Sequence, residues 1–177
     1  MPKSESCKVK LLLYYRTLKY IRPVQLYYQV YYRIKKIVRK EFHLSGHAPT
    51  GTDLRLKETI YTCESFLGKN KFRFLNIEHS FPDIDWNISV YGKLWTYNLN
   101  YFDFLNQREI SKEDGLQLMQ RFCSKKSTHK DGYEAYPVSL RIMNWVKFIS
   151  RNRIKDDQEL NEQLFSDCIR LSGNIEY

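Results

Sequence analysis

Residues 138–150 decide the fold, and they read VSLRIMNWVKFIS. Apolar side chains cover nearly the whole circumference of a helix drawn over this stretch, and such a helix lies buried inside a protein. The polar exceptions Arg141, Asn144 and Lys147 stand three residues apart and form one narrow stripe. Because an arginine is rarely buried without a partner, the stripe is expected to meet a carboxylate, a backbone edge or a lined cavity. Pairing of Arg141 with an acidic residue of a neighbouring helix is the alternative to a binding role.

Helical patterns extend to both sides of this stretch. The predicted helices cover residues 8–21, 23–41, 98–107 and 138–150, and two more begin at Ser111 and Asp157. Pro23 suits the first turn of its helix. Capping arrangements are expected where Ser111 precedes Asp114 and where Asp156 precedes Glu159.

A different pattern separates the early helices from the later ones. Apolar and polar residues alternate around residues 72–77, which predicts short strands and turns in an irregular or β excursion around residues 70–92. Successive helices with short links predict helix hairpins packed side by side in a mainly α protein. A linker over residues 42–51 divides the chain into a basic helical segment, residues 1–50, and a second domain, residues 51–177.

The net charge of +9 belongs to the N-terminal segment. Residues 1–50 contain eleven Lys and Arg against Glu5 and Glu41, and the remaining residues balance 18 basic with 18 acidic side chains. Such a patch can bind nucleic acid, anionic lipid or an acidic polymer, or it can be a solvated helix face. Seven tyrosines among the first 32 residues suggest a basic, tyrosine-rich binding module for nucleic acid or an anionic membrane surface.

The cysteines and apolar runs give few positive signals. The spacing of the four cysteines fits neither a CxxC pair nor a metal site; they are Cys7, Cys63, Cys123 and Cys168. Buried thiols are therefore expected, with a disulfide as the alternative. Neither a metal nor a cofactor is predicted. The first residues lack a secretory apolar region, and no stretch approaches the roughly 20 apolar residues of a spanning helix. The sequence as given predicts a soluble, cytoplasmic chain, although an upstream signal would change its location.

Three stretches share long, ordered patterns with one known family. Residues 94–105, LWTYNLNYFDFL, are similar to L-W-x-Y-N-L-H-Y-F-D-x-L; residues 136–147, YPVSLRIMNWVK, are similar to Y-P-x-S-L-R-I-x-N-W-I-K; and residues 174–177, NIEY, resemble the start of N-x-E-Y-H-L-x-G-N-H. Residues 18–28 fit the same family. Together these stretches resemble the N-terminal domain of the heparinase II/III family of polysaccharide lyases.

This resemblance implies both a fold and a reaction. The fold is an incomplete α/α toroid followed by a β-sandwich, and this chain would hold the first helices of the toroid. The family cleaves polysaccharides that contain uronic acids, including glycosaminoglycans, by β-elimination. A base removes the proton alpha to the sugar carboxylate, whose charge Asn, His or Arg donors neutralise, and an acid protonates the leaving oxygen as the bond to it breaks. A Tyr or His carries the proton. Many members of the family are periplasmic.

Two departures limit what the resemblance implies. Asn100 stands where the family usually has His, and the chain ends at Tyr177, before the G-N-H segment. No catalytic residue or cofactor is therefore assigned, and the chain alone is expected to be inactive. Its expected partners are an acidic polysaccharide and the remainder of the same protein. The candidates for lining the substrate cleft, each with core packing as the alternative, are Tyr97, Asn98, Tyr101, Tyr136, Arg141 and Asn144.

The last helix carries a separate expectation about stability. If the toroid is incomplete, the helix from Asp157 exposes part of the stripe formed by Leu160, Leu164 and Leu171. Each exposed side chain forgoes on the order of 1.5–3 kcal/mol of burial, against a total stability of about 5–15 kcal/mol. The chain is therefore expected to be marginally stable and to self-associate through this helix.

Overall fold

The structure is a computed structural model, and it describes residues 20, 22–41, 56, 60–125, 130–155 and 157–174. It divides the chain into two units, Met1–Gly46 and His47–Tyr177. The predicted helix over residues 8–21, apart from the helical Tyr20, and the predicted linker over residues 42–51 lie outside the described residues. The assignment of the second domain to a toroid stays a prediction.

The first unit contains helix α1, Pro23–Glu41, which has the predicted bounds. Proline has no backbone N–H to leave unsatisfied in the first turn. The backbone N–H of Arg22 donates to Oε1 of Gln25 at 3.1 Å, which closes the turn that leads into the helix. The described side chains of α1 are exposed, apart from the half-buried Tyr32.

The second unit contains a β-hairpin, which confirms the predicted strands and turns. Strands β1, Lys71–Phe74, and β2, Ile77–Ser80, pair antiparallel with Phe74 opposite Ile77. Leu75 and Asn76 form the two-residue turn, and both have the positive φ angles, 52° and 61°, that such a turn requires. Phe72 and Phe74 alternate with polar residues along β1, and their buried rings anchor the hairpin to the helices.

Helix α2, Lys93–Tyr101, begins earlier than the prediction of residues 98–107 and ends sooner. Gly92 precedes the helix as its N-cap, with φ 84°, and Phe102 follows it as its C-cap in the left-handed region, with φ 57°. A 3₁₀ turn, Asp103–Asn106, follows. The ring of Phe102 is fully buried and stacks on Trp86 at 5.1 Å. The predicted single helix is therefore wrong, because packing of this ring stabilises a backbone break that helical periodicity does not reveal.

Helices α3, Lys112–Ser124, and α5, Gln158–Ser172, begin with side-chain caps. The backbone N–H of Asp114 donates to Oγ of Ser111 at 3.0 Å, which confirms the first predicted cap. At α5 the cap is Asp157, which accepts from the backbone N–H of Leu160 at 3.1 Å, and so the predicted helix start at Asp157 is one residue early. Asp156 lies outside the described residues.

Helix α4, Ala135–Asn152, is the centre of the second unit. It is longer at both ends than predicted, since Pro137 is accommodated in its first turn. It packs against α2, the 3₁₀ turn and α5, while α3 packs against α5. Trp145 and Phe148 are fully buried, as the pattern of residues 138–150 predicts. The prediction of a mainly α protein is confirmed, whereas the toroid arrangement stays a prediction.

Two expectations about exposure need correction. Leu160 is only 1% exposed and belongs to the core, because α5 turns this side toward α3 and α4, whereas Leu164 and Leu171 are half-buried, so the expected exposure is limited to these two members of the stripe. Cys63 and Cys168 are exposed free thiols, so the expectation of buried cysteines is wrong for these two. No helix among the described residues is long and apolar enough to cross a membrane.

Candidate functional site

The two long motifs meet where α2 packs on α4. Residues 94–105 occupy α2 and the 3₁₀ turn, and residues 136–147 lie in α4. The side-chain amide of Asn144 donates to the backbone carbonyl of Tyr101 at 2.9 Å, and its oxygen accepts from Asn106 Nδ2 at 2.8 Å. Asn144 is 3% exposed, so it joins the motifs from inside.

Three tyrosines form a connected aromatic group above this contact, here named the tyrosine shelf: Tyr97, Tyr101 and Tyr136. Tyr97 and Tyr101 lie one turn apart on α2, with ring centroids 6.3 Å apart. Tyr136 in the first turn of α4 meets Tyr101 edge to face at 5.7 Å. Tyr101 is buried, Tyr97 is half-buried and Tyr136 is 65% exposed. The shelf therefore has a buried base and an accessible rim, and burial raises the pKa of Tyr101.

An ion pair borders the shelf. Nζ of Lys93 lies 2.7 Å from Oε1 of Glu134, the Tyr97 hydroxyl donates to the same oxygen at 2.6 Å, and the ammonium lies 5.1 Å from the centre of the Tyr97 ring. Burial raises the pKa of Glu134, but hydrogen bonds from Lys93 and Tyr97 outweigh it and lower that pKa to about 2. The hydrogen bond to Glu134 raises the pKa of Lys93, and burial raises that of Tyr97. The bordering pair is therefore ionised, and the Tyr97 hydroxyl keeps its proton, at neutral pH.

Arg141 lies in the core rather than on the shelf. Its guanidinium is fully buried and binds the Asp167 carboxylate through Nε at 2.8 Å and NH2 at 3.0 Å. NH1 donates to the backbone carbonyl of Gly132 at 2.9 Å. The Phe122 ring lies 4.8 Å from the guanidinium carbon. The geometry of Arg141 matches the alternative of core packing, because Asp167 of the neighbouring helix supplies the carboxylate. Asn144 also matches that alternative, because its hydrogen-bond partners lie inside the unit.

The remaining motif residues lie beside or behind the shelf. Asn98 is half-buried, and its amide donates to the carbonyl of Leu94 in its own helix at 2.8 Å. Asn100, at the position where the resembling family has His, is fully buried and donates to the carbonyls of Trp86 and Thr96. Lys93 and Glu134 were not among the predicted residues. The sequence does contain a signal for Lys93, because it lies four residues before Tyr97 and therefore next to it on a helix surface.

An open groove lies elsewhere in the unit. It has a volume of about 550 Å³ and is lined by Tyr61, Thr62, Cys63, Glu64, Arg108 and Glu109. Arg108 and Arg151 both lie over the Tyr61 ring, at 5.1 and 5.8 Å from its centre. None of these residues belongs to the two long motifs. Within the described ranges, no cluster of His, Cys, Asp and Glu could hold a metal ion.

A scan against protein-family models, a search of curated proteins and a search of solved structures find no match to this chain. The resemblance to the heparinase II/III family therefore rests on the motifs. The substrate-binding role of the six predicted residues stays a prediction.

Proposed function

We propose that this chain supplies a sugar-binding wall of a polysaccharide lyase-like protein and that the tyrosine shelf contacts the polymer. One observation carries the proposal. The two motifs that resemble a polysaccharide-binding family are separated in sequence, yet each contributes aromatic rings to the same shelf, Tyr97 and Tyr101 from the first and Tyr136 from the second.

The chemistry of the shelf suits a pyranose ring. Tyrosine offers a flat apolar face to the C–H side of a sugar and a polar tip to its hydroxyls. Lys93 and Glu134 add a charged donor and a charged acceptor at the border, and hydrogen bonds to ionised groups are the stronger ones. Both side chains of this pair are more than two-fifths exposed, so sugar hydroxyls can reach them.

The acidic nature of the polymer and its cleavage by β-elimination are inferred from the resemblance alone. In this proposal the chain belongs to an incomplete α/α toroid of helix hairpins and holds substrate, while residues that transfer protons lie outside the shelf. Because Glu134 neutralises Lys93, the shelf binds sugar rings mainly by their faces. The excess charge of residues 1–50 raises the local concentration of a polyanion, which makes binding dependent on salt.

The test compares two exposed side chains of α4. Tyr136→Ala removes the accessible ring of the shelf, and Met143→Ala removes a side chain that is 48% exposed two turns further along the same helix. We expect Tyr136→Ala to weaken binding to heparan-like, alginate-like or bacterial capsular polymers about 3- to 10-fold, the value of one aromatic contact. Met143→Ala should retain the affinity of the unchanged chain. Retardation in gels that contain each polymer measures both.

Equal affinity of the Tyr136→Ala variant and the unchanged chain for every polymer would contradict the proposal. A loss shared equally by the Met143→Ala variant would also contradict it, because it would place the contact outside the shelf.

A further inference from the structure

Helix α1 carries four rows of side chains, each with a spacing of four residues. Gln25, Gln29 and Arg33 form a polar row, and Leu26, Val30 and Ile34 form an apolar row beside it. Two tyrosine rows complete the surface over residues 25–34, Tyr27 with Tyr31 and Tyr28 with Tyr32. In this part of the helix three of the four rows are apolar or aromatic, and in the later turns the tyrosine rows continue as Lys35 with Arg39 and Lys36 with Lys40.

The apolar row is open to solvent along its length. Leu26, Val30 and Ile34 are 43%, 50% and 55% exposed. A continuous exposed apolar strip of this kind marks a surface that binds something, whereas scattered exposed apolar residues need no explanation.

The tyrosine rings pack on one another. Tyr27 stacks on Tyr31 at 6.3 Å with 14° between ring planes, and Tyr28 stacks on Tyr32 at 6.1 Å with 28°. Edge-to-face contacts join the two rows, between Tyr27 and Tyr28 at 5.5 Å and between Tyr31 and Tyr32 at 5.5 Å. The rings form one aromatic layer next to the apolar row.

The charge of α1 has a single sign over almost its whole length. Arg33, Lys35, Lys36, Arg39 and Lys40 lie within it, and its only acidic residue is the last, Glu41. Such a sequence is attracted to an anionic surface, at about 1 kcal/mol for each basic residue near it.

We infer that α1 binds the surface of an anionic lipid bilayer as an interfacial helix, with its apolar and tyrosine rows in the headgroup region. Helices of this type combine a wide apolar side, amphipathic aromatic residues and Lys or Arg on the polar side. Tyrosine is enriched at this depth because its ring is apolar and its hydroxyl is wet. This inference is independent of the tyrosine shelf, which lies in the other unit.

A bilayer explains the helix better than a nucleic acid does. Binding of single strands relies on open aromatic faces on which bases stack. In α1 the tyrosine rings pack on one another along the helix, and an exposed row of Leu, Val and Ile offers nothing to phosphates or bases. Both features suit the boundary between headgroups and acyl chains.

Two neighbouring substitutions that add the same charge test the inference. The full chain is sedimented with vesicles of phosphatidylcholine containing about one third phosphatidylserine, and with phosphatidylcholine alone. We expect binding to the first only, weakened by salt. Gln29→Glu, on the polar row, should weaken binding about fivefold, the effect of one charge near the surface. Val30→Glu, on the apolar row, should weaken it on the order of tenfold more, because it also removes an inserted apolar side chain.

Val30→Gln gives a second measurement that changes neither the charge nor the helix propensity greatly. It should lose on the order of tenfold in affinity, with the helical circular dichroism of the unchanged chain. Equal losses for Gln29→Glu and Val30→Glu, or full affinity of Val30→Gln, would overturn insertion. Tighter binding to a single-stranded oligonucleotide than to the anionic vesicles would overturn the choice of a lipid surface.

Discussion

The ion pair between Arg141 and Asp167 is the most consequential contact at the scale of single residues. Both side chains are buried, and Gln163 adds a hydrogen bond to Oδ1 of Asp167 at 3.1 Å. Taking two charges out of water is costly, so such a pair contributes little net stability, but removal of one partner leaves an unpaired buried charge. The pair therefore fixes how α5 packs on α4.

Arg141→Met is expected to lower the free energy of unfolding by about 3–5 kcal/mol, because Asp167 loses its partner. The double variant Arg141→Met with Asp167→Leu should recover most of that loss, since no buried charge remains. Arg153→Met, at the exposed C-cap of α4, is the control and should change stability by less than about 0.5 kcal/mol. Denaturant unfolding measures all three. If Arg141→Met were as stable as the control Arg153→Met, this role for Arg141 would be contradicted.

Sequence reasoning reached part of this contact. The narrow polar stripe in residues 138–150 predicted that Arg141 needs a carboxylate, a backbone edge or a cavity, and the structure supplies the first two. It could not name Asp167 or Gly132, since partners so distant in the chain are chosen by the packing of whole helices. The same limit hid Glu134 from the candidate site.

At the scale of elements, backbone breaks and close approaches set the geometry. Local rules identified α1, the hairpin and the Ser111 cap, because proline, alternation and capping act within a few residues. They failed at Phe102, where a helix end depends on Trp86 and other buried rings. They also missed Gly115 in α3, which is buried against the Phe148 ring of α4.

Gly115→Ala is expected to destabilise the protein by about 1–3 kcal/mol, the usual cost of an overpacked core. An added Cβ would clash with Cζ of Phe148, so the ring must move. In an exposed helix the same change would gain nearly 1 kcal/mol of helix propensity. Gln117→Ala, at an exposed position of α3, should therefore leave stability equal or raise it. A melting temperature that rises for Gly115→Ala would show that α3 and α4 are not in close contact.

At the scale of the whole molecule, the excess positive charge and the buried core lie in different units. The unit Met1–Gly46 carries the excess of positive charge and the exposed rows of α1, and the unit His47–Tyr177 carries the core and the tyrosine shelf. Composition predicted the charge division. The shelf was predicted only as separate candidates, because the meeting of Tyr101 with Tyr136 depends on how α2 packs on α4.

The most direct test of the central claim is to observe the tyrosine rings while a uronic-acid oligosaccharide is added. In the chain labelled with ¹³C at its tyrosine rings, we predict that resonances of Tyr97, Tyr101 and Tyr136 shift with a common saturation curve. Tyr61, in the groove beside Arg108, and Tyr133, beside Arg141, serve as internal controls and should stay unchanged. Shifts confined to Tyr61 would contradict a sugar-binding tyrosine shelf. So would the absence of any shift when the oligosaccharide is added at a concentration at which the full-length polymer saturates the chain.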